Sequence, residues 1–306
     1  MDIEVESVNC DLCGSRGNRF RYKKPDTRFK ITDQKFSVVS CKKCGHWYLN
    51  PRPIKSDLEK CYPSQYYNSR GLDISSQRER YKRQASYFSQ QALGRFLDIG
   101  CAGGEFIEIM LALGWYCFGM DLFDNRKEKL PANNIDFRFG CLNKIAYPDN
   151  FFDGISAWGV FEHLLSPRIY FNEVSRILKP GGRFVILVSN ANSLWSRFAY
   201  KEDIPRHLHF LTPASIRKYA AITGLKICKI DFTNHIYSRP ATGRTGFRTK
   251  LLRAAGVPWQ DIGKKQTKLH LRLLSVLGTF LGYTLIHPRI EELLRLSGMM
   301  VVTFTK

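Results

Sequence analysis

Short apolar strands alternating with helical segments from Arg95 onward, a glycine-rich turn after the first strand and a carboxylate closing the second predict a doubly wound, Rossmann-like α/β sheet. Two CxxC pairs ahead of that pattern predict an N-terminal zinc ribbon. The alternation halts over residues 234–298 before a last apolar strand, which predicts a helical insertion. The expected organisation is a ribbon module over 1–60, a connector over 61–92, a sheet core over 93–233 plus 299–306, and a basic helical insertion over 234–298.

The first core strand is Arg95–Ile99, followed by a glycine turn and a helix over Glu105–Leu113 that Gly114 stops. Trp115–Asp121, Ile135–Phe139 and Phe152–Trp158 read as the second, third and fourth strands. Ser166 and Pro167 offer an N-cap and a first-turn proline for a helix reaching Leu178, where Lys179-Pro180-Gly181-Gly182 ends it. Arg183–Ser189 is the fifth strand. A helix starting at Thr212-Pro213 stops at Gly224, and Leu225–Phe232 and Met299–Phe304 complete the set.

With 44% hydrophobic and 13% aromatic residues, the 306-residue chain can bury a sizeable core, which excludes collagenous and disordered classes. Its net charge of +20 is unevenly spread: +9 over residues 1–97, +2 over 98–233 and +8 over 234–298. Basic flanks attract anionic partners, whether nucleic acid, a membrane surface or a phosphorylated substrate. The opening MDIEVESVNC has no apolar run, and the uncharged stretch Leu273–Ile286 is too short to span a bilayer, so a cytoplasmic location is expected. Nine cysteines in a reducing compartment then serve as metal ligands or buried thiols.

Cys10-x2-Cys13 and Cys41-x2-Cys44 each present two thiolates from one tight knuckle, with Gly14 and Gly45 permitting the backbone turn. Together they complete a tetrahedral S4 shell for a closed, structural zinc ion. Cys61, Cys101, Cys117, Cys141 and Cys228 sit in or beside apolar stretches and read as core thiols.

The turn Gly100-Cys101-Ala102-Gly103-Gly104 follows Asp98 and opens a helix, so bare backbone N–H groups and a helix start can approach a ligand closely. Asp121 ends the second strand, where a doubly wound sheet places the carboxylate that pairs with ribose hydroxyls. Five segments, LDIGCAGG at 97–104, GMD at 119–121, FFDGISAWGVFEHL at 151–164, ILKPGGRFVI at 177–186 and RHLHFLTP at 206–213, together resemble the class I S-adenosylmethionine-dependent methyltransferases. The cysteine knuckles followed by YLNPRP at 48–53 resemble a subgroup that carries an N-terminal zinc module and includes nucleotide-sugar C-methyltransferases and enzymes of polysaccharide and natural-product pathways.

The resemblance implies that Asp98 and the backbone of Gly100, Cys101, Ala102, Gly103 and Gly104 hold the methionine part of S-adenosylmethionine. It further implies that Asp121 holds the ribose, that Leu122 lies near adenine and that Trp158 lines the methionine side. Ala102 stands where the family commonly has glycine, which a negative φ accommodates. The family often places an acidic residue against adenine after the third strand. Here that place reads Gly140-Cys141-Leu142, which makes Cys141 and Leu142 the adenine-side residues. The resemblance also implies that the last strand runs antiparallel.

Proton removal from an acceptor calls for a base, and Glu162, His163, His207 and His209 follow the fourth and fifth strands, toward the carboxyl edge where ligands bind. The family often shows an E-H pair at this place, and the resemblance implies that Glu162-His163 orients the loop and helix. His207 and His209, two apart, share a face if extended, and the resemblance to the sugar enzymes makes His207 the expected base. Those relatives usually carry Glu before that histidine, whereas this chain has Arg206. The expected reaction is methyl transfer to a small or lipid-linked acceptor, a sugar or other polysaccharide or natural-product precursor. RNA is the alternative acceptor, and a non-enzymatic zinc-binding adaptor is the third reading. Residues 234–298 read as two helices broken at Pro288, with Lys264, Lys265, Lys268 and Arg272 leading an apolar stretch. Such a segment either lies on an anionic membrane as a peripheral anchor or caps and packs on the core.

Overall fold

The computed structural model describes residues 2–63, 66, 74–122, 135–193, 203–232, 236, 251–252, 255–257, 268–284 and 297–306. Its strands, in chain order, are β1 (Val5–Glu6), β2 (Asn18–Lys24), β3 (Phe36–Cys41), β4 (Trp47–Leu49), β5 (Arg52–Pro53), β6 (Arg95–Ile99), β7 (Tyr116–Asp121), β8 (Asp136–Phe139), β9 (Phe152–Trp158), β10 (Leu178–Ser189), β11 (His209–Phe210), β12 (Lys226–Asp231) and β13 (Met299–Thr305). Two compact units divide the chain: Met1–Gly71 with Ser189–Thr212 and Asp231–Met300, and Leu72–Val188 with Pro213–Ile230 and Val301–Lys306. Residues 189–212, assigned by sequence to the sheet core, therefore fold with the cysteine module. The physical reason is a short strand, β11, that pairs there.

The second unit is built on a seven-stranded sheet in the order β12-β13-β10-β9-β6-β7-β8. Strand β6 pairs in parallel with β7 on one side and β9 on the other, and β8 and β10 extend the parallel set outward. The strand order reverses between β6 and β9, which creates the crevice where such sheets bind ligands. Phe96, Leu97 and Ile99 on β6 and Phe184 through Val188 on β10 are buried, as strands covered on both faces require. The helix Pro167–Ile177 starts as expected: the Ser166 side chain accepts the Ile169 N–H and Pro167 occupies the first turn. Strand β10 begins five residues earlier than Arg183, because Leu178 already pairs with Phe152 and the Pro-Gly-Gly stretch forms an irregularity inside the ladder.

In the first unit, a four-stranded antiparallel sheet runs β11-β4-β3-β2, with β1 and β5 pairing separately. His209 and Phe210 lie opposite Tyr48 and Trp47, so the end of the 189–212 segment adds an edge strand to the cysteine hairpin. Leu271 and Leu274 of the helix Leu269–Thr284 pack on buried Leu252 and Val257. The expected break at Pro288 lies outside the described residues, as do Lys264 and Lys265. No helix among the described residues is long and apolar enough to cross a membrane.

Candidate functional site

The two cysteine knuckles close alike. The Gly14 N–H donates to the Cys10 carbonyl at 2.7 Å and the Gly45 N–H to the Cys41 carbonyl at 2.9 Å, with both glycines at positive φ. This brings Cys10 Sγ to 3.5 Å from Cys44 Sγ, and Cys13 Sγ to 3.5 Å from Cys41 Sγ, with all four ligand atoms within 4.8 Å of one another. A tetrahedron with Zn–S bonds of ~2.3 Å has edges of about 3.8 Å, so the donor set fits the metal. Burial pushes the Cys10 and Cys44 thiols up, Cys44 to about 11. At Cys41 the N–H of Cys44 and the thiol of Cys13 outweigh burial and bring the value down to about 6.

Beside the knuckles, His46 Nε2 lies 3.0 Å from His209 Nδ1 and the two rings stack, both buried. Burial, then the neighbouring His209, push His46 down to about 3. Arg206 is fully buried. It donates to both carboxylate oxygens of Asp26 at 3.0 and 2.8 Å, to Asp203 at 2.6 Å and to the Cys61 carbonyl at 2.9 Å.

In the sheet unit, β6 carries Asp98 as its penultimate residue, 3% exposed, which accepts a 2.5 Å hydrogen bond from Ser156 Oγ. Burial is the first cause that pushes Asp98 up to about 7, and the Asp121 charge adds to it. Gly100 turns at φ +72°, and a Cβ there would meet Val160 at 2.5 Å, so the turn requires glycine. Ala102 adopts φ +47°, contrary to the negative value expected. Its N–H is held by Asp121 Oδ2 at 2.9 Å, which stabilises a conformation costing about 1–2 kcal/mol for an L-residue. Asp121 Oδ1 accepts the Leu122 N–H at 2.7 Å. The helix Glu105–Ala112 starts at Gly104 with no side-chain cap for its leading N–H groups. The Trp158 ring packs edge-on against Phe106 of that helix at 5.6 Å, and its buried Nε1 has no hydrogen-bond partner among the described residues. Leu122 is exposed, Cys141 half-buried and Leu142 fully buried.

A family model described as a methyltransferase domain matches residues 70–230. The chain belongs to the methyltransferase family. A ubiquinone biosynthesis O-methyltransferase from Bradyrhizobium diazoefficiens is 31% identical over 162 residues, 47% of this chain and 62% of that protein. One from Bradyrhizobium sp. is 29% identical over 200 residues, 60% and 76% of the two chains. Another from Bartonella bacilliformis is 27% identical over 151 residues, 44% of this chain and 60% of that protein. The chain thus spans about 60% of the length of the first of these curated relatives that it matches. A solved SAM-dependent methyltransferase from Archaeoglobus fulgidus aligns with a TM-score of 0.50 at 19% identity, over 79% of this chain and 98% of that one. A solved complex of the Haloferax volcanii Trm112 methyltransferase activator with a methyltransferase gives 0.51 at 15%, over 76% and 94%. At these identities the structures establish the fold, that of S-adenosylmethionine-dependent methyltransferases.

Glu162 is buried and His163 half-buried after β9, in the sheet unit. His207 and His209 belong to the other unit. His207 Nε2 lies 3.6 Å from Asp203 Oδ2, whereas His209 enters β11 and turns its ring onto His46. Only His209 lies in the strand, so the extended segment over which the two would alternate begins at His209. Cys61, Cys101 and Cys117 are buried as expected, but Cys228 is exposed on β12. Sequence reasoning missed Asp203, whose spacing of three and four residues to Arg206 and His207 was a readable helical-turn signal. It also missed Asp26 and His46, whose partners lie over 160 residues away. Gln84, buried on the helix Ile74–Ala85 with its Oε1 unpartnered among the described residues, gave no signal in a uniformly polar stretch.

Proposed function

We propose that the chain transfers a methyl group from S-adenosylmethionine to an oxygen of a small or lipid-linked acceptor, within the class of sugar, polysaccharide or natural-product precursors. The observation that carries this reading is the cradle after β6: a buried carboxyl, Asp98, lies ahead of a glycine loop whose Ala102 N–H is pinned by Asp121. Asp98 and the amides of Gly100, Cys101, Ala102, Gly103 and Gly104 would hold the methionine end, where the ammonium supplies the cation that a buried carboxylate lacks. Asp121 would take the ribose hydroxyls, since a carboxylate oxygen can accept more than one hydrogen bond. Leu122, Cys141 and Leu142 would face adenine, and the Trp158 indole N–H would find its acceptor on the methionine side.

Bound S-adenosylmethionine supplies an electrophilic methyl carbon on a sulfonium. The protein's part is to hold the acceptor oxygen in line with it and to take the acceptor proton. His207, whose Nε2 lies 3.6 Å from Asp203 Oδ2, is the residue proposed as the base. Glu162 and His163 orient the loop after β9. Relatives named for O-methylation in ubiquinone biosynthesis favour an oxygen acceptor. Cys10, Cys13, Cys41 and Cys44 would hold one zinc ion, which uses four protein ligands and therefore stabilises rather than catalyses.

Calorimetry on the full chain should show S-adenosylmethionine and its demethylated product binding at micromolar level, about −8 kcal/mol. His207→Ala should lower methyl transfer into a small-molecule extract about 10²–10⁴-fold with cofactor affinity unchanged. Unchanged turnover would remove His207 from the chemistry. Label entering total RNA, with binding that falls steeply in salt, would move the acceptor to nucleic acid. Native mass spectrometry should find one zinc per chain, lost in Cys41→Ser together with the fold of the module.

A further inference from the structure

The helix Leu269–Thr284 has an inner side and an outer side of similar chemistry, which an ordinary surface helix does not. Leu271 and Leu274 pack inward on Leu252 and Val257. Leu269, Leu273, Val276 and Leu277 are exposed to 71%, 61%, 69% and 47% of their surface. Their spacing of i, i+4, i+7 and i+8 puts them on one face, an arc of about 100°. Lys268, His270 and Arg272 are exposed along the same stretch, and residues 234–298 carry net +8. We propose that this face docks the protein on an anionic lipid surface, with the four aliphatic side chains at the acyl boundary and Lys268 and Arg272 on the lipid phosphates.

Three observations select that partner. The helix has 16 residues, so it reaches about 24 Å, short of the ~30 Å hydrocarbon core, and it lies in the interface plane instead of crossing. A second copy of the chain would set Lys268 and Arg272 against the same cations, on a molecule already at +20, whereas an anionic surface neutralises them. Single-stranded nucleic acid is gripped by aromatic stacking platforms, and among the described side chains this stripe is aliphatic. Long basic side chains can lie along the apolar stripe and present their charges at headgroup level.

The inference stands apart from the methyl-transfer reading, because binding is read without turnover. The test is co-sedimentation of the full chain with vesicles of phosphatidylcholine alone and of phosphatidylcholine mixed equally with phosphatidylglycerol, at about 50 mM and about 500 mM salt. Wild-type protein should sediment with the anionic vesicles and not with phosphatidylcholine, losing affinity about tenfold or more at the higher salt. The double variant Leu273→Glu/Val276→Glu, whose positions are exposed and whose fold circular dichroism would verify, should lose about tenfold or more at low salt. Lys268→Gln/Arg272→Gln should lose several-fold and flatten the salt dependence. Indifference of the wild type to anionic vesicles at low salt overturns the proposal, as does binding that the glutamate variant leaves intact. A wild-type dimer in sedimentation velocity that the same variant dissociates would give the face to a second copy instead.

Discussion

Asp26 and Asp98 are both buried carboxyls, 2% and 3% exposed, one in each unit, yet their pKa values move in opposite directions. Burial alone would raise both. At Asp26 the Arg206 guanidinium, donating to both oxygens, and the N–H groups of Phe29 and Ile31 outweigh burial and hold the carboxyl below its ordinary value. At Asp98 a single Ser156 hydroxyl cannot do so, and the value stands at about 7. Asp26 is a completed structural ion pair. Asp98 lacks a cation of its own among the described residues, a gap that the ammonium of the proposed cofactor would fill.

The largest test of this contrast is Arg206→Ala, which leaves Asp26 buried beside no counter-ion. Chemical denaturation should show a loss of about 3–5 kcal/mol. The paired variant Asp26→Asn/Arg206→Met should recover much of it, and a loss near zero for the single variant would demote the pair. Next is Asp98→Asn. With its folded pKa raised to about 7, Asp98 contributes stability that is complete below about pH 4 and is lost as pH rises through 7. The asparagine variant should therefore gain stability in the ligand-free protein progressively between pH 4 and 7, on the order of 2 kcal/mol by pH 8, while its affinity for S-adenosylmethionine falls tenfold or more. Asp26 obeys the opposite sign: its stability is present above about pH 4 and fades as acid protonates it, so amide exchange at Arg28 and Phe29 should quicken there. Smallest is Ser156→Ala, which removes the one hydroxyl at Asp98. It should raise that pKa further and change stability by about 1 kcal/mol, read from the pH dependence of the thermal midpoint.

What the sequence revealed and what it concealed divide along similar lines. The strands of the sheet were legible because each is a short apolar run bounded by glycine, proline or a charged end, and Phe152–Trp158 falls where it was placed. The paired knuckles were legible because the spacing of their ligands is local. Local chemistry also located the Ser166-Pro167 helix start. Asp26–Arg206 and His46–His209 were not legible, since their partners are 180 and 163 residues apart and neither pair leaves a periodicity. The sign of φ at Ala102 was misread because residue type argued one way, while the Asp121 carboxylate that holds the turn lies 19 residues on. Strand β10 began early because Pro-Gly-Gly reads locally as a stop, although the sheet carries the ladder across it.

The pairing of β11 with β4 bears on how the protein can be made. The cysteine ligands leave the ribosome within the first 44 residues, but the sheet that backs them lacks its β11 edge, and Asp26 lacks its guanidinium, until about 165 further residues have been synthesised. An early fragment could bind metal while still carrying a buried carboxylate with no cation and an unsatisfied strand edge, the two features that draw a nascent chain toward premature association. Completion of the module is thus deferred until residues 189–212 emerge, after strands β6 to β10 of the sheet unit have already been translated.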